Sequence, residues 1–177
     1  MLVTRALVDG LPRYGEVEVD VFHPFEGDPW TSPKRSGASV AMADLTLLCP
    51  VEPGRILVQI GGFLQPETTL PPGTRPLLVP KLAAPVSGDQ GVIVIPPSFP
   101  VAVAEVELAI VIGRDVSDAS AEEARTAIFG FTCFNDVTEP VANDARDWVY
   151  AKSIDTFASM GPWVRTVSQR EPCGSMR

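Results

Sequence analysis

The stretch Val101-Ala-Val-Ala-Glu-Val-Glu-Leu-Ala-Ile-Val-Ile-Gly113 decides the fold. It is rich in β-branched residues and free of proline, which makes it the strongest strand signal in the chain. Ser120 and Glu123 follow at capping-box spacing. They predict a helix over Ala121 to Phe129, with Gly130 just past its C-terminus. Phe131 to Phe134 is strand-like again and ends at Asn135-Asp136. Across the chain, many short strands against this one clear helix set the class as α+β and β-rich.

Working upstream, Gly91 to Ile95, Leu77 to Val79 and Arg55 to Ile60 predict short strands, the last one buried. Residues 65 to 76 contain four prolines and predict a loop. Pro50-Val-Glu-Pro-Gly54 marks a boundary. At the start, Leu2 to Val8 and Tyr14 to Val21 alternate around Asp9-Gly10, a hairpin pattern. Residues 26 to 40 are loop-like. Downstream, residues 137 to 150 are polar and irregular, with a short helix predicted over Asn143 to Tyr150.

Composition narrows the function. The chain has 177 residues, 45% of them hydrophobic, enough for a substantial core. Net charge is −8 with no basic patch, which disfavours nucleic acid and anionic membranes as partners. No apolar run approaches the roughly 18 residues of a membrane-spanning helix, and no secretory leader pattern is present. A cytoplasmic location is the expectation. Three cysteines (Cys49, Cys133, Cys173) do not form a disulfide framework. Cys133, inside an apolar run, is expected to be a buried small hydrophobe.

The chemistry centres on Glu105 and Glu107. Side chains two apart on a strand point the same way, with α-carbons roughly 6.5–7 Å apart. Two carboxylates so close stay ionised cheaply only beside water or a cation. Leu108 to Ile112 is wholly apolar, so the strand is expected to run into a core. Asp136, at the end of the next strand, can supply a third oxygen. An all-oxygen set suits Mg²⁺ or Mn²⁺, with Ca²⁺ an alternative, over zinc. Alone, the pattern fits a solvated Glu pair on an edge strand and a turn Asp better than it fits a metal site.

Three blocks in order add specificity. Ala104-Glu-Val-Glu-Leu-Ala-Ile-Val-Ile-Gly113, Gly130-Phe-Thr-Cys-Phe-Asn-Asp-Val-Thr138 and Trp148-Val-Tyr-Ala-Lys-Ser-Ile-Asp-Thr-Phe157, with Gly161-Pro162 behind, resemble the fumarylacetoacetate hydrolase family over about residues 1 to 166. The resemblance implies a mixed β-roll and a Mg²⁺ or Mn²⁺ site at Glu105, Glu107 and Asp136. It implies cleavage, decarboxylation or isomerisation of a small keto-acid through a metal-stabilised enolate. It places Lys152 near the metal ligands, as a catalytic and substrate-binding cation. Lys81 is a second substrate cation by a looser match, and Asp155 a loop support.

The chain also departs from that pattern. Where the family carries Val-Gly-x-Asn-Tyr-x-x-His, this chain has Ile60-Gly-Gly-Phe-Leu-Gln-Pro-Glu67, so the usual base is missing and Glu67 is a substitute candidate. His23 is expected at the surface. The Ala-Arg-Asp of the family comes late, as Ala145-Arg146-Asp147. The family continues about a hundred residues further, so the roll is expected to be incomplete at the C-terminus, with unpaired edges that favour self-association. The expected organisation is a small N-terminal β domain (1–54), a partial catalytic β-roll (55–166) and a disordered tail (167–177). The expected function is a metal-dependent hydrolase or decarboxylase of a β-keto or diketo acid, working as a homo-oligomer, most simply a dimer. The alternative is a catalytically impaired family member serving as a metal-binding or oligomerisation partner.

Overall fold

The computed structural model describes residues 1–87, 89–99 and 101–167. The expected disordered tail falls almost wholly outside them. Among the described residues the strands are β1 (Leu2–Val8), β2 (Leu11–Glu18), β3 (Val21–Glu26), β4 (Lys34–Arg35), β5 (Val40–Ala41), β6 (Thr46–Leu48), β7 (Leu57–Ile60), β8 (Leu77–Pro80), β9 (Pro85–Ser87) and β10 (Val106–Ile112). Helix α1 (Ala121–Thr126) leads into β11 (Ile128–Asp136). Helices α2 (Pro140–Asp144) and α3 (Trp148–Lys152) precede β12 (Ala158–Met160) and β13 (Val164–Thr166). No helix among these residues is long and apolar enough to cross a membrane.

Eleven of the described strands form one sheet, ordered β4-β3-β2-β1-β13-β11-β12-β9 along its main path. The β9–β12 pair is parallel and the other pairs are antiparallel, so the sheet is mixed. The N-terminal strands and the site strands are thus continuous. β13 joins them, pairing with β1 on one side and with β11 on the other. An edge-to-face chain of Tyr14, Trp30 and Phe129 packs across the same junction. The Asp9-Gly10 hairpin is present, with both turn residues at positive φ.

One core gathers Val58, Val79, Phe134, Val137, Phe157, Met160 and Val164 beneath β11. A smaller one joins Ala6, Val17 and Phe22 beneath the N-terminal hairpin. A fully buried side chain such as Phe157 contributes about 1.5–3 kcal/mol over an exposed one.

Several expectations are corrected. The capping box forms, with Ser120 and Glu123 bonding reciprocally, but the helix stops at Thr126. Gly130 is not a cap residue. It lies inside β11, where a Cβ would collide with the Arg165 carbonyl oxygen. Glycine is there so that β13 can close onto β11. Gly91 to Ile95 forms no strand, and the Val94 amide donates to the Thr156 hydroxyl instead. The strand expected over Arg55 to Ile60 is shorter, and only Val58 in it is buried. Leu108, Ile110 and Ile112 do not enter a core. They face outward, each more than half exposed, while Ala109 and Val111 face in. Cys133, opposite Leu108 on the same outer face, is exposed rather than buried.

Candidate active site

β10 and β11 form an antiparallel ladder in which Val106 faces Asn135. Glu105 stands one residue before β10, and its carbonyl accepts the Asp136 amide at 2.9 Å. Strand alternation then puts Glu105 and Glu107 on the inner face, with Val106 outward and 85% exposed. Asp136, the last residue of β11, is buried on the same side.

Two lysines converge on Asp136. Lys152, the last residue of α3, donates to Asp136 Oδ2 at 2.5 Å, to Thr138 Oγ1 at 2.8 Å and to both Glu105 carboxylate oxygens at 3.2 Å. Lys81, just past β8, places its ammonium 2.6 Å from Asp136 Oδ1 and donates to the Val137 carbonyl at 3.0 Å. The Lys81 ammonium is thus the partner of Asp136 Oδ1, as the Lys152 ammonium is of Oδ2. Both ammonium groups are buried.

A buried ammonium persists only if paired and hydrogen-bonded. Burial pushes Lys81 below its ordinary value and the nearby Lys152 charge adds to this, while Asp136 opposes both. Partial burial, then the like charges of Asp136 and Glu105, push the Glu107 carboxyl upward against the pull of Lys152. Three carboxylates and two ammoniums therefore share one electrostatic cluster, with one negative charge in excess. Thr138 was not singled out by sequence reasoning, although it closes one of the recognised blocks. Its hydroxyl donates to the Asp136 carbonyl at 3.0 Å and accepts from Lys152.

The remaining candidates lie elsewhere. Glu67 and Arg146 are exposed, and Arg146 sits at a positive φ in the turn between α2 and α3. His23 is on β3 beside Glu18, at 3.7 Å. Asp155 faces solvent. Hydrogen bonds to its loop run through the Ser153 and Thr156 hydroxyls, which accept from the Leu82 and Val94 amides. A cleft of about 480 Å³ is lined by Arg55, Ile56, Lys81 and Leu82 among others, and of the cluster only Lys81 borders it.

The donor chemistry suits a hard divalent ion, since Glu105, Glu107 and Asp136 offer carboxylate oxygens alone. The present arrangement is nevertheless ammonium-bound. Among the described residues no three acidic, histidine or cysteine side chains are gathered closely enough to hold an ion as they stand.

Residues 59–175 match the model for the fumarylacetoacetate (FAA) hydrolase C-terminal domain, about two thirds of the sequence. The chain belongs to the fumarylacetoacetate hydrolase family. Residues 1–50 match a second model, Rv2993c-like, N-terminal. A protein of Archaeoglobus fulgidus is 32% identical over 142 residues, 78% of this chain and 56% of that protein. A human mitochondrial oxaloacetate tautomerase of the family is 29% identical over 126 residues, 68% of this chain and 40% of the tautomerase. The solved 5-carboxymethyl-2-hydroxymuconate delta-isomerase of Mycobacterium smegmatis is 28% identical with a TM-score of 0.78, covering 94% of this chain and 67% of that one. The chain thus spans little more than half the length of the Archaeoglobus relative. The β-rich mixed sheet is the family's fold.

Proposed function

We propose that this chain belongs to an enzyme acting on a small β-keto or diketo acid through an enolate, and that Glu105, Glu107 and Asp136 would hold Mg²⁺ or Mn²⁺. The carrying observation is the pair of buried ammoniums on one buried carboxylate, beside two further carboxylates. Such a cluster gives up hydration that apolar residues in its place would not, and clusters of this kind gather at functional sites. Bound there, the ion would supply Lewis-acid stabilisation of the enolate oxygen.

The chain's own residues supply the rest. Lys152 carries the cation nearest to both Glu105 and Asp136, placed to attract the substrate carboxylate and to offset charge that develops in the reaction. Lys81 has a fully buried side chain, so in this reading it acts through Asp136, fixing Oδ1, and adds its field to the site. Thr138 fixes Lys152 from the other side. Hydrolysis needs a base to activate water, and Glu67, the substitute for the missing histidine, is exposed on its loop. Decarboxylation and tautomerisation need no activated water, although tautomerisation still needs a group to carry the α-proton, and the tautomerase and isomerase among the relatives support that choice.

Oxaloacetate with Mn²⁺ is the direct probe, followed by keto–enol absorbance and release of carbon dioxide. Turnover is expected, with Glu107→Ala lowering kcat/KM by about a hundredfold or more, in the range of losing one electrostatic catalytic contact. Absence of turnover across small keto-acids, or a Glu107→Ala variant as active as the parent, would sink the reading. A second reading, a non-catalytic partner that pairs with another copy or a longer relative, is favoured by the outward apolar row Val106, Leu108, Ile110 and Ile112. Inactive but stably self-associated protein in sedimentation would support it.

A further inference from the structure

Lys152 is held as an ion is held. Four oxygens surround its nitrogen at 2.5–3.2 Å, and three of them belong to Glu105 and Asp136. The same two side chains are candidate ligands for the divalent ion, so the role assigned to Lys152 below rests on that reading. A divalent ion binds carboxylate oxygen at roughly 2.0–2.6 Å. An ion on Asp136 Oδ2 and Glu105 would therefore occupy the place of the ammonium. Lys81 presents no such conflict, because it meets Asp136 at the other oxygen.

We infer that Lys152 is a tethered internal cation that competes with the divalent ion for Asp136 Oδ2 and Glu105, so that ion entry requires the ammonium to move off these oxygens. The network around it sets the strength of that competition. Thr138 Oγ1 holds Lys152 without being a candidate ligand itself, and its own proton is engaged by the Asp136 carbonyl. Loosening Thr138 should therefore favour the ion while leaving every charge in the cluster unchanged. An apparent affinity is reduced by the fraction of protein in the binding-competent arrangement. Any change that frees the oxygens from Lys152 should raise the affinity by the same factor.

Calorimetric titration of Mn²⁺ into three proteins decides the matter: the parent chain, Lys152→Met and Thr138→Val, each first shown to be folded by tryptophan fluorescence. Lys152→Met is expected to bind Mn²⁺ about tenfold tighter or better, and Thr138→Val to shift in the same direction by a smaller factor. If Lys152→Met does not fold, Thr138→Val carries the test, because its near-isosteric change removes one hold on the ammonium. Equal or weaker binding in Lys152→Met overturns the competition and leaves the metal reading standing. Tighter binding in Lys152→Met with an unchanged Thr138→Val also overturns it, since that pattern reports net charge and not displacement. No Mn²⁺ binding by any of the proteins ends both readings together.

Discussion

Two charge clusters in this molecule use the same kinds of groups and mean different things. On the N-terminal sheet Arg35 bridges Glu16 and Glu18 at 2.9 Å each, with side chains 22–60% exposed. At the site Lys81 and Lys152 bridge Asp136 at similar distances, with side chains no more than 4% exposed. Water and salt screen the first cluster, and its formation costs little because its members stay partly hydrated. The second has given up hydration that only its internal partners replace. Distance alone does not tell the two clusters apart. Burial does.

The strongest way to break this contrast is Asp136→Asn, which leaves two buried ammoniums without their shared counter-charge. A loss of about 3–5 kcal/mol is expected in urea unfolding followed by tryptophan fluorescence, as for other broken buried pairs. A loss below about 1 kcal/mol would place the site cluster in the same class as the surface one. Arg35→Ala should cost less than about 1 kcal/mol at low salt, and its effect should fade as NaCl approaches 1 M, where the screening length falls to about 3 Å. A salt-independent loss would mean that the surface network is better shielded than its exposure indicates.

The smallest effect concerns pH. Asp28 accepts the Trp30 amide at 2.9 Å and the Thr31 hydroxyl at 2.7 Å, and these bonds hold its carboxyl below the ordinary value of 3.8. A carboxyl lowered by folding adds stability above its unfolded value, and that contribution disappears as pH falls through the lowered one. Asp28→Asn should therefore lower stability slightly at pH 7 and flatten the acid limb, with the two stability curves converging as pH falls below the ordinary carboxyl value of 3.8. An unchanged acid limb would show that these hydrogen bonds persist in the unfolded chain.

How much of this could be read from the sequence depends on the kind of order involved. Period-two alternation placed Glu105 and Glu107 on one face, and the capping box fixed the start of α1. The blocks around Asp136 and Lys152 located the rest of the cluster. What covers a face is a different matter. Leu108, Ile110 and Ile112 have the composition of a buried strand, but composition does not say whether a neighbour lies over them. The Gly91 to Ile95 segment has strand-like residues, yet the Val94 amide found a hydroxyl and not a strand. Gly130 has the spacing of a helix cap, and only the approach of Arg165 reveals its purpose. Thr138 was hidden for a related reason: a hydroxyl becomes a holder of Lys152 only once β11 and α3 are brought together.

The outward row on β10 has a practical consequence. Val106, Leu108, Ile110 and Ile112 line up along one face of one strand, each more than half exposed, with Cys133 and Phe131 beside Leu108 and Ile110 on the neighbouring one. Reporter dyes that brighten on bare hydrocarbon would find a landing strip on the folded chain as well as on the unfolded one. A dye-based melting curve would then begin bright and could even darken as the strand comes apart, while the tryptophans, including Trp30 packed between Tyr14 and Phe129, would register the true transition.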